Sequence, residues 1–520
     1  MQKSISLREQ IAPSRFGYLW LVPGAIFSCL AANGRWDLSL AAWLGPFFLL
    51  RFTRTRSVLI GYAGVWLVSV GAMFFFLYET QFPGGLNPLL IIAGLVFGTV
   101  LTFPYLLDRL LAPRLDLTSG LLSTLIFPLG RVACEYLIAF SPYGSMISLA
   151  YTQYGNLPLL QVVSLTGVYG VSFLIAWFAS VGNRVWEQRV VWPRIRAATF
   201  LYSGTLALVL LGGSMRLTFF PPSAQTVRVA GISVPPSVSQ QDFSPQTPAH
   251  LRSAFATINN YLLAQSLREA RAGAKIVVWA EKDALTLAGD EAALIESGQK
   301  LAREERIYLE MGVKVLQLQT ASLHLVHNQA ILIDPQGRTV WVYNKTHPVP
   351  GLERIAPGDG QIPTAKTPYG QLATAICFDA DFPDLMRQAG SKGVDVMLIP
   401  ALDWPGIDPW HAQHAAFRAI EDGYSLVRPT SNGLAASVDY EGRVLAANDY
   451  FTTDQQTMIA YVPVQGTWTL YAHVGDLFAW LCIVTLFIIG GFMIFVSGRR
   501  HAESSPRKPH TQNHHASAIV

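Results

Sequence analysis

A carboxylate, an amine and a thiol stand at the ends of three apolar runs in the second half of the chain. KIVVWAE (275–281) ends on Glu281, TVWVYNK (339–345) on Lys345, and LATAIC (372–377) on Cys377. Each run reads as a strand, and loop-side strand ends are where α/β enzymes carry reactive groups. Taken singly, the two charges read equally as solvated groups and Cys377 as an inert buried thiol. Taken together they are a complete set. A free thiol titrates at about 8.5 and needs a base to become a thiolate, and a carbonyl under attack needs a cation or donor at its oxygen. Glu281, Lys345 and Cys377 supply base, oxyanion partner and nucleophile. The chemistry implied is nucleophilic attack by a cysteine on a carbonyl carbon.

The elements that position them form an α/β unit. Besides the three runs, the third of which continues as LATAICFDA (372–380), VRVAGISV (227–234), YLEMGVKVL (308–316), QAILIDPQG (329–337), VDVMLIPA (394–401) and LAASVDYEGRVLA (434–446) read as strands. Stretches 249–272, 290–304, 383–391 and 408–422 have helical periodicity. Strands interleaved with helices argue a layered α/β domain with a mixed sheet. Cys377 is the only cysteine of this region, so it has no disulfide partner there; Cys29, Cys134 and Cys482 all fall in apolar blocks elsewhere.

Those blocks set the broader class. The chain has 520 residues, 51% hydrophobic and only 14% charged, against about 25% charged in an ordinary soluble domain. The deficit is uneven: 17–215 and 472–497 are apolar, while 217–470 is mixed. A soluble enzyme and a pure transporter are both excluded, and the net charge of +4 forms no basic face for nucleic acid. A spanning helix needs about 20 apolar residues. Candidate spans lie near 17–33, 37–50, 57–78, 88–107, 118–140, 158–182 and 197–214, with an eighth at about 474–497. With a cytoplasmic N-terminus, one side collects Lys3, Arg8, Arg15, Arg51, Arg54, Arg56, Arg109, Arg114, Arg184, Arg189, Arg194, Arg196, Arg499, Arg500, Arg507 and Lys508; the other has only Arg35 and Arg216 near helix ends. The positive-inside rule then places the α/β domain outside the cytoplasm. The expected organisation is 1–216, a membrane domain of seven helices; 217–471, the extracytoplasmic catalytic domain; 472–498, a last transmembrane helix; and 499–520, a disordered cytoplasmic tail.

The segments VVWAE, YNKTHPVPGLE and ICFDADFP around the three residues, in that order, resemble the signatures of the nitrilase (carbon–nitrogen hydrolase) superfamily. HNQAILIDPQG and FRAIEDGYSLVRPTSNGLAASVDYEGRV resemble further segments of it, so the likeness covers essentially all of 226–465. It implies an α-β-β-α sandwich. Within the superfamily, the chain is similar to the membrane branch, the apolipoprotein N-acyltransferases, in which such a domain precedes the last of eight membrane helices. FPLGRVACEYL (127–137) and LLQVVSLTGVYGVSFLIAW (159–177) resemble that branch's membrane segments. The resemblance implies transfer of an acyl chain from the sn-1 ester of a membrane phospholipid, through a thioester on Cys377, to the α-amine of a diacylglyceryl-cysteine apolipoprotein at a bacterial inner membrane. Glu281 would be the general base, Lys345 the oxyanion partner, and Glu353 a second glutamate that orients the lysine. No cofactor is implied. The chain departs from the family's pattern at Ala280, at Phe378-Asp379, at Gly351-Leu352 and across Ala401 to Gly406, all on the substrate side. The runner-up reading is a membrane-anchored amidase that hydrolyses a small or lipid amide; a third is an idle nitrilase-like scaffold.

Other residues carry paired readings. Asp379 and Trp404 are expected to touch substrate, Trp404 and Trp410 as rim aromatics where the bilayer meets water, with loop packing the alternative. Arg131 and Glu135 lie one turn apart inside a span, as a headgroup or substrate contact or as a self-neutralising packing pair. Arg418 and Glu421 read as a structural pair near the site. His411 with His414, and His324 with His327, have three-residue spacing but no HExxH or Cys/His cluster, so no metal is expected. The tail histidines His501, His510, His514 and His515 would bind metal only adventitiously.

Overall fold

The computed structural model describes residues 15–116, 120–222, 224–244, 247–319 and 322–504. Up to Phe219 the described chain is helical. Five stretches are long and apolar enough to cross a membrane: Val58–Glu79, Pro88–Leu115, Gly120–Ala139, Val168–Glu187 and Trp192–Phe219. Gly17–Cys29, Leu157–Thr166 and Leu477–Met493 are shorter apolar helices, and Ser39–Arg54 completes the set with Pro46 inside it. Leu59, Leu67, Leu208, Leu211 and Phe487 on these helices stand more than half exposed. So many bare apolar side chains suit hydrocarbon rather than water.

Helix boundaries differ from the sequence reading where glycine or geometry interrupts the ladder. The expected span 158–182 is broken: short helices Leu157–Leu160 and Val163–Thr166 end at Gly167, φ +63°, and the long helix starts at Val168. A Cβ on Gly167 would also lie 2.6 Å from the Tyr471 ring, so only glycine fits this corner. The span 118–140 is two segments, Gly120–Ser123 and Ile126–Ala139. The last helix runs Leu477–Ser504, past the expected end at 498; the rest of the expected tail, 505–520, lies outside the described residues, as do Lys3 and Arg8.

The α/β unit is built of two facing sheets. Strands β1 (Thr226–Ile232), β2 (Ile276–Trp279), β3 (Ala284–Leu287), β4 (Tyr308–Gln319), β5 (Ser322–Ile333) and β6 (Thr339–Asn344) join β15 (Thr457–Pro463) in the order β15-β1-β2-β4-β5-β6, with β3 beside β4. The second sheet runs β14-β13-β11-β9-β8-β7, from Val444–Asp449, Leu434–Val438, Ser425–Arg428, Val396–Leu398, Gly370–Thr374 and Thr364–Thr367 respectively. A parallel pair, β10 (Ala401–Leu402) and β12 (Thr430–Ser431), sits apart.

Period-two alternation explains the layering. Val227, Val229, Ile276 and Val278 turn inward to meet Leu372, Val396, Leu398 and Leu426 of the other sheet. Ala230, Ile232, Val277 and Trp279 turn outward under helices Pro248–Arg271 and Glu291–Glu305, which bury Leu251, Phe255, Ile258 and Leu301 on them. Helices Pro383–Ser391 and Trp410–Asp422 cover the opposite face. The result is the α-β-β-α sandwich. Two expected strands are corrected. Stretch 434–446 is a hairpin, β13 and β14, because Gly442 (φ +85°) reverses the chain and the Asp439 carboxylate accepts the Glu441 and Arg443 N–H groups. The run 372–380 stops at Thr374, and a 3₁₀ helix begins at Cys377. Short strands β3, β7, β11 and β15 carried no expectation from sequence.

Candidate active site

Each of the three singled-out residues is fixed by the backbone that precedes it. β2 is a continuous buried run, IVVW, as a strand covered on both faces must be. It ends at Trp279, and Glu281 follows with its N–H on the Ala401 carbonyl at 3.3 Å. Lys345 follows β6 and is tied to β5 by its N–H on the Asn328 carbonyl at 3.0 Å. Cys377 has φ +48°, a sparsely populated conformation for a non-glycine residue, and its N–H bonds the Pro400 carbonyl at 3.0 Å. That reversal ends the strand early and turns the side chain out of the sheet.

The structure brings the three together with Glu353. Lys345 Nζ lies 3.0 Å from Glu281 Oε1 and 2.9 Å from Glu353 Oε2. Asn328 Nδ2 donates to both carboxylates, at 2.6 and 3.2 Å, and the Leu402 N–H donates to Glu281 Oε2 at 2.9 Å. Lys282, held at φ +61°, reaches Glu353 at 2.5 Å and Glu281 at 3.4 Å. Glu281 and Lys345 are each 1% exposed and Cys377 3%, so these charges act on one another through little water.

The electrostatics follow from that geometry. Burial pushes the Glu281 carboxyl up, but Lys282 and Lys345 outweigh it and hold the group below the usual carboxylate range. Glu353 is likewise held down, its burial outweighed by the same two lysines. Burial works to lower Lys345, yet Glu281, Cys377 and Glu353 raise it well above an ordinary lysine. Burial and the neighbouring Glu281 charge push the Cys377 thiol up. The resting site is therefore a neutral thiol beside an ionised carboxylate and an ammonium.

On the far side of Cys377 lies a second charged group that sequence reasoning missed. Cys377 Sγ is 3.7 Å from the Leu402 carbonyl and 4.0 Å from Asp403 Oδ1. Arg428 grips Asp403 with bonds of 2.9 and 3.0 Å, and His411 bridges Asp403 and Asp381 at 2.7 and 2.9 Å. The Cys377, Asp403 and His411 donor atoms gather within 4.8 Å, a spacing compatible with a metal ion. Both ring nitrogens of His411 are already taken up by Asp381 and Asp403, which raise it well above 6.5 against the effect of burial, and Asp403 is also held by Arg428. The set fits a charge-paired wall behind the sulfur. A legible signal was Arg428, a charge inside an apolar strand, which must be paired when buried.

Other expected contacts are placed differently. Asp379 is fully buried and away from the cavity described below; it accepts from Tyr343 Oη at 2.7 Å and from the N–H groups of His347 (2.7 Å), Ile376 (3.0 Å) and Thr346 (3.4 Å). It fastens the segment after Lys345 to the residue before Cys377 and does not line the cavity. Glu135 takes Arg131 at 2.7 Å, Ser148 Oγ at 2.8 Å and the Leu149 N–H at 3.3 Å, outside the cavity around Cys377, which is the packing reading. Arg418 and Glu421 pair at 2.9 Å, both fully buried, and Glu421 accepts the Val168 N–H at the start of a membrane helix. His414 stacks on Tyr151 at 3.9 Å.

Trp404 and Trp410 do line the cavity. It measures about 560 Å³ and is lined by Glu281, Lys345, Glu353 and Cys377. Apolar walls come from Met73, Phe76 and Leu77 of helix Val58–Glu79, and from Leu90, Gly94 and Phe97 of helix Pro88–Val100. Trp404 Nε1 donates to the Thr80 carbonyl at 2.6 Å, joining the α/β unit to the end of the first of these helices.

Two family models match the chain in the same order: the apolipoprotein N-acyltransferase N-terminal domain over 24–181 and carbon–nitrogen hydrolase over 260–472. Curated relatives named apolipoprotein N-acyltransferase include those of Geobacter metallireducens (26% identical, 70% of this chain and 73% of that protein), Haemophilus ducreyi (26%, 84% and 86%) and Haemophilus influenzae (23%, 89% and 91%). Among solved structures, an amidase of Nesterenkonia sp. AN1 is 17% identical with a TM-score of 0.37, covering 47% of this chain and 94% of its own. With membrane helices and hydrolase fold both matched, in order and along most of its length, the chain belongs to the apolipoprotein N-acyltransferases, the membrane-embedded branch of the carbon–nitrogen hydrolase superfamily.

Proposed function

We propose that Cys377 takes an acyl chain from the sn-1 ester of a membrane phospholipid and passes it to the α-amine of a diacylglyceryl-cysteine lipoprotein. The observation that carries this reading is the single cavity joining Cys377, Glu281 and Lys345 to the flanks of two membrane helices. A water-soluble amide would need no such apolar trough; an acyl chain does.

The chemistry balances in two halves. Glu281 takes the thiol proton as Sγ bonds the ester carbon, and Lys345 Nζ faces the oxygen that becomes negative. The carbon–oxygen bond to glycerol breaks, the proton passes from Glu281 to the departing oxygen, and a lysophospholipid leaves. The lipoprotein amine then attacks the thioester, Glu281 accepts its proton, the carbon–sulfur bond breaks and sulfur regains a proton. The product is an amide. This is ping-pong catalysis, in which a thiol splits one hard transfer into two. Glu353 and Asn328 hold Lys345 and Glu281 in register, and positioning of this kind is itself a large part of a catalyst's power.

The α/β domain faces the extracytoplasmic side in this reading. Support comes from the gathering of Lys and Arg on the loops that alternate with it.

Intact-mass measurement tests the function. After incubation with phospholipid, the expected result is a hydroxylamine-labile acyl adduct on Cys377, absent from Cys377→Ala, which discharges to a diacylglyceryl-cysteine peptide. An adduct that discharges only to water overturns the acceptor assignment in favour of a hydrolase. No adduct at all overturns the lipid donor.

A further inference from the structure

Lys314 is a cation left over. It lies on β4, directly across the hairpin from Asn328, the residue that bonds both site carboxylates. Along β4, Lys314 and Leu316 fall on one face by the two-residue period, and both line the cavity, as do Leu323 and Leu325 from β5. Lys314 therefore lines the cavity with a site residue across the hairpin from it and apolar side chains beside it.

The charges around it do not cancel. Lys345 and Lys282 are matched by Glu281 and Glu353, each within ion-pair distance. Asp403 and Asp381 are matched by Arg428 and His411. Among the described residues Lys314 makes no hydrogen bond and no ion pair; the charged groups that act on it are Lys282, which repels it, and Glu353, already shared by two other lysines. Burial and Lys282 both hold its ammonium below the ordinary lysine range, as expected of a cation that lacks a counterion. A lone positive charge lining an apolar trough is costly until an anion arrives.

We propose that Lys314 binds the phosphate of the donor phospholipid, and so sets the ester of that lipid against Cys377. The inference rests on the acyl-transfer reading above. A glycerophospholipid carries its phosphodiester a few bonds from the sn-1 ester and its acyl tail on the opposite side of that ester. Lys314, the cluster at Cys377 and apolar walls for the chain all line this one cavity, so a single glycerophospholipid can meet all three. Lysine binds phosphate as a point charge and requires no fixed fork geometry.

The test uses the full-length protein in mixed micelles and follows thioester formation on Cys377. The donors are phosphatidylglycerol and a diacylglycerol with the same acyl chains, each also tried with added inorganic phosphate. The wild-type protein should be acylated faster by the phospholipid. In Lys314→Met that preference should shrink by about tenfold, the worth of one charge-assisted hydrogen bond, while Lys314→Arg should retain most of it. Acylation of Lys314→Met by diacylglycerol reports that the variant is folded. Should Lys314→Met keep the wild-type ratio, or should inorganic phosphate restore diacylglycerol to phospholipid rates, the assignment of the lipid phosphate to Lys314 falls. Should neither lipid acylate the wild-type protein, it is the acyl-transfer reading that fails, and this assignment goes with it.

Discussion

Glu281 has to accept a proton while packed against two ammonium groups, and the pH dependence should carry the mark of that. Burial alone would raise its pKa; Lys282 and Lys345 reverse the sign. As a base it works ionised, so thioester formation should be level above its depressed pKa and fall as pH drops through it. Removing one of the two cations in Lys282→Met should raise the Glu281 pKa. The acid limb of kcat/KM should then move to higher pH, with losses appearing where the wild-type protein is still fully active. An acid limb that stays in place would show that Lys345 alone sets the carboxylate. Glu281→Gln removes the base and should cost about 10²- to 10⁴-fold in acylation, read as the rate of adduct formation by mass. At this scale the sequence was legible where a charge or thiol ends an apolar strand, as at Glu281, Lys345 and Cys377. It was not legible where partnership depends on cross-strand register. Asn328 and Lys314 face each other only because β4 and β5 pair in one register, and Asp403 looks like an ordinary loop acid until Arg428 is folded beside it.

Elements from the two halves of the chain lock together through loops that admit no extra atoms. The turn after helix Ile126–Ala139 places Gly144, φ +59°, where an added Cβ would sit 2.3 Å from the Asp381 carbonyl, and Ser145 bonds that same carbonyl from its N–H at 2.9 Å and its hydroxyl at 3.0 Å. Asp381 in turn holds His411 behind Cys377. Gly144→Ala thus meets both backbone strain and a clash, about 1–3 kcal/mol together by general experience. The expected outcome is a lower thermal midpoint in detergent and slower thioester formation, with the same donor preference. A variant as stable and as fast as wild type would show that the loop yields freely. Long amphipathic helices were readable from periodicity; Pro248–Arg271, Glu291–Glu305, Pro383–Ser391 and Trp410–Asp422 lie within two residues of their expected bounds. The hairpin at 434–446 was hidden because its turn, Asp439 to Gly442, interrupts the apolar pattern too briefly to show. Strands of four residues such as β3 and β11 carry too few side chains for a period to be visible.

Across the whole molecule, the membrane helices are as much a part of the site as the α/β domain is. Leu77 lines the cavity from helix Val58–Glu79, some distance along the chain from any charged residue of the site. Leu77→Trp should shorten the trough, and adduct formation should then favour short-chain donors over long ones relative to wild type. A series of phosphatidylglycerols of graded chain length would read this directly, and an unchanged profile would remove the helix from the binding of the chain. The multi-pass architecture and the sandwich were both readable from composition and strand–helix order, since each depends on long runs of sequence. The cavity between them was not, because its walls come from segments as distant along the chain as Met73 and Asn432.

The pairing of β1 with β15 has a consequence for how such a protein is assembled. Thr226 lies opposite Pro463, so the first and last strands of the domain run side by side, about 5 Å apart, and both ends leave the sandwich at one edge. The domain is thus a cassette inserted between two apolar helices, Trp192–Phe219 and Leu477–Ser504, and its entry and exit need little more room than a single turn would. A short peptide could rejoin the helices in its absence, and the cassette could be lifted out with neighbouring termini and no strand left unpaired. Cut free, it would keep Glu281, Lys345 and Cys377 but lose half the walls of its trough. Such a fragment would be suited to short-chain esters or amides, with water as the acceptor at hand.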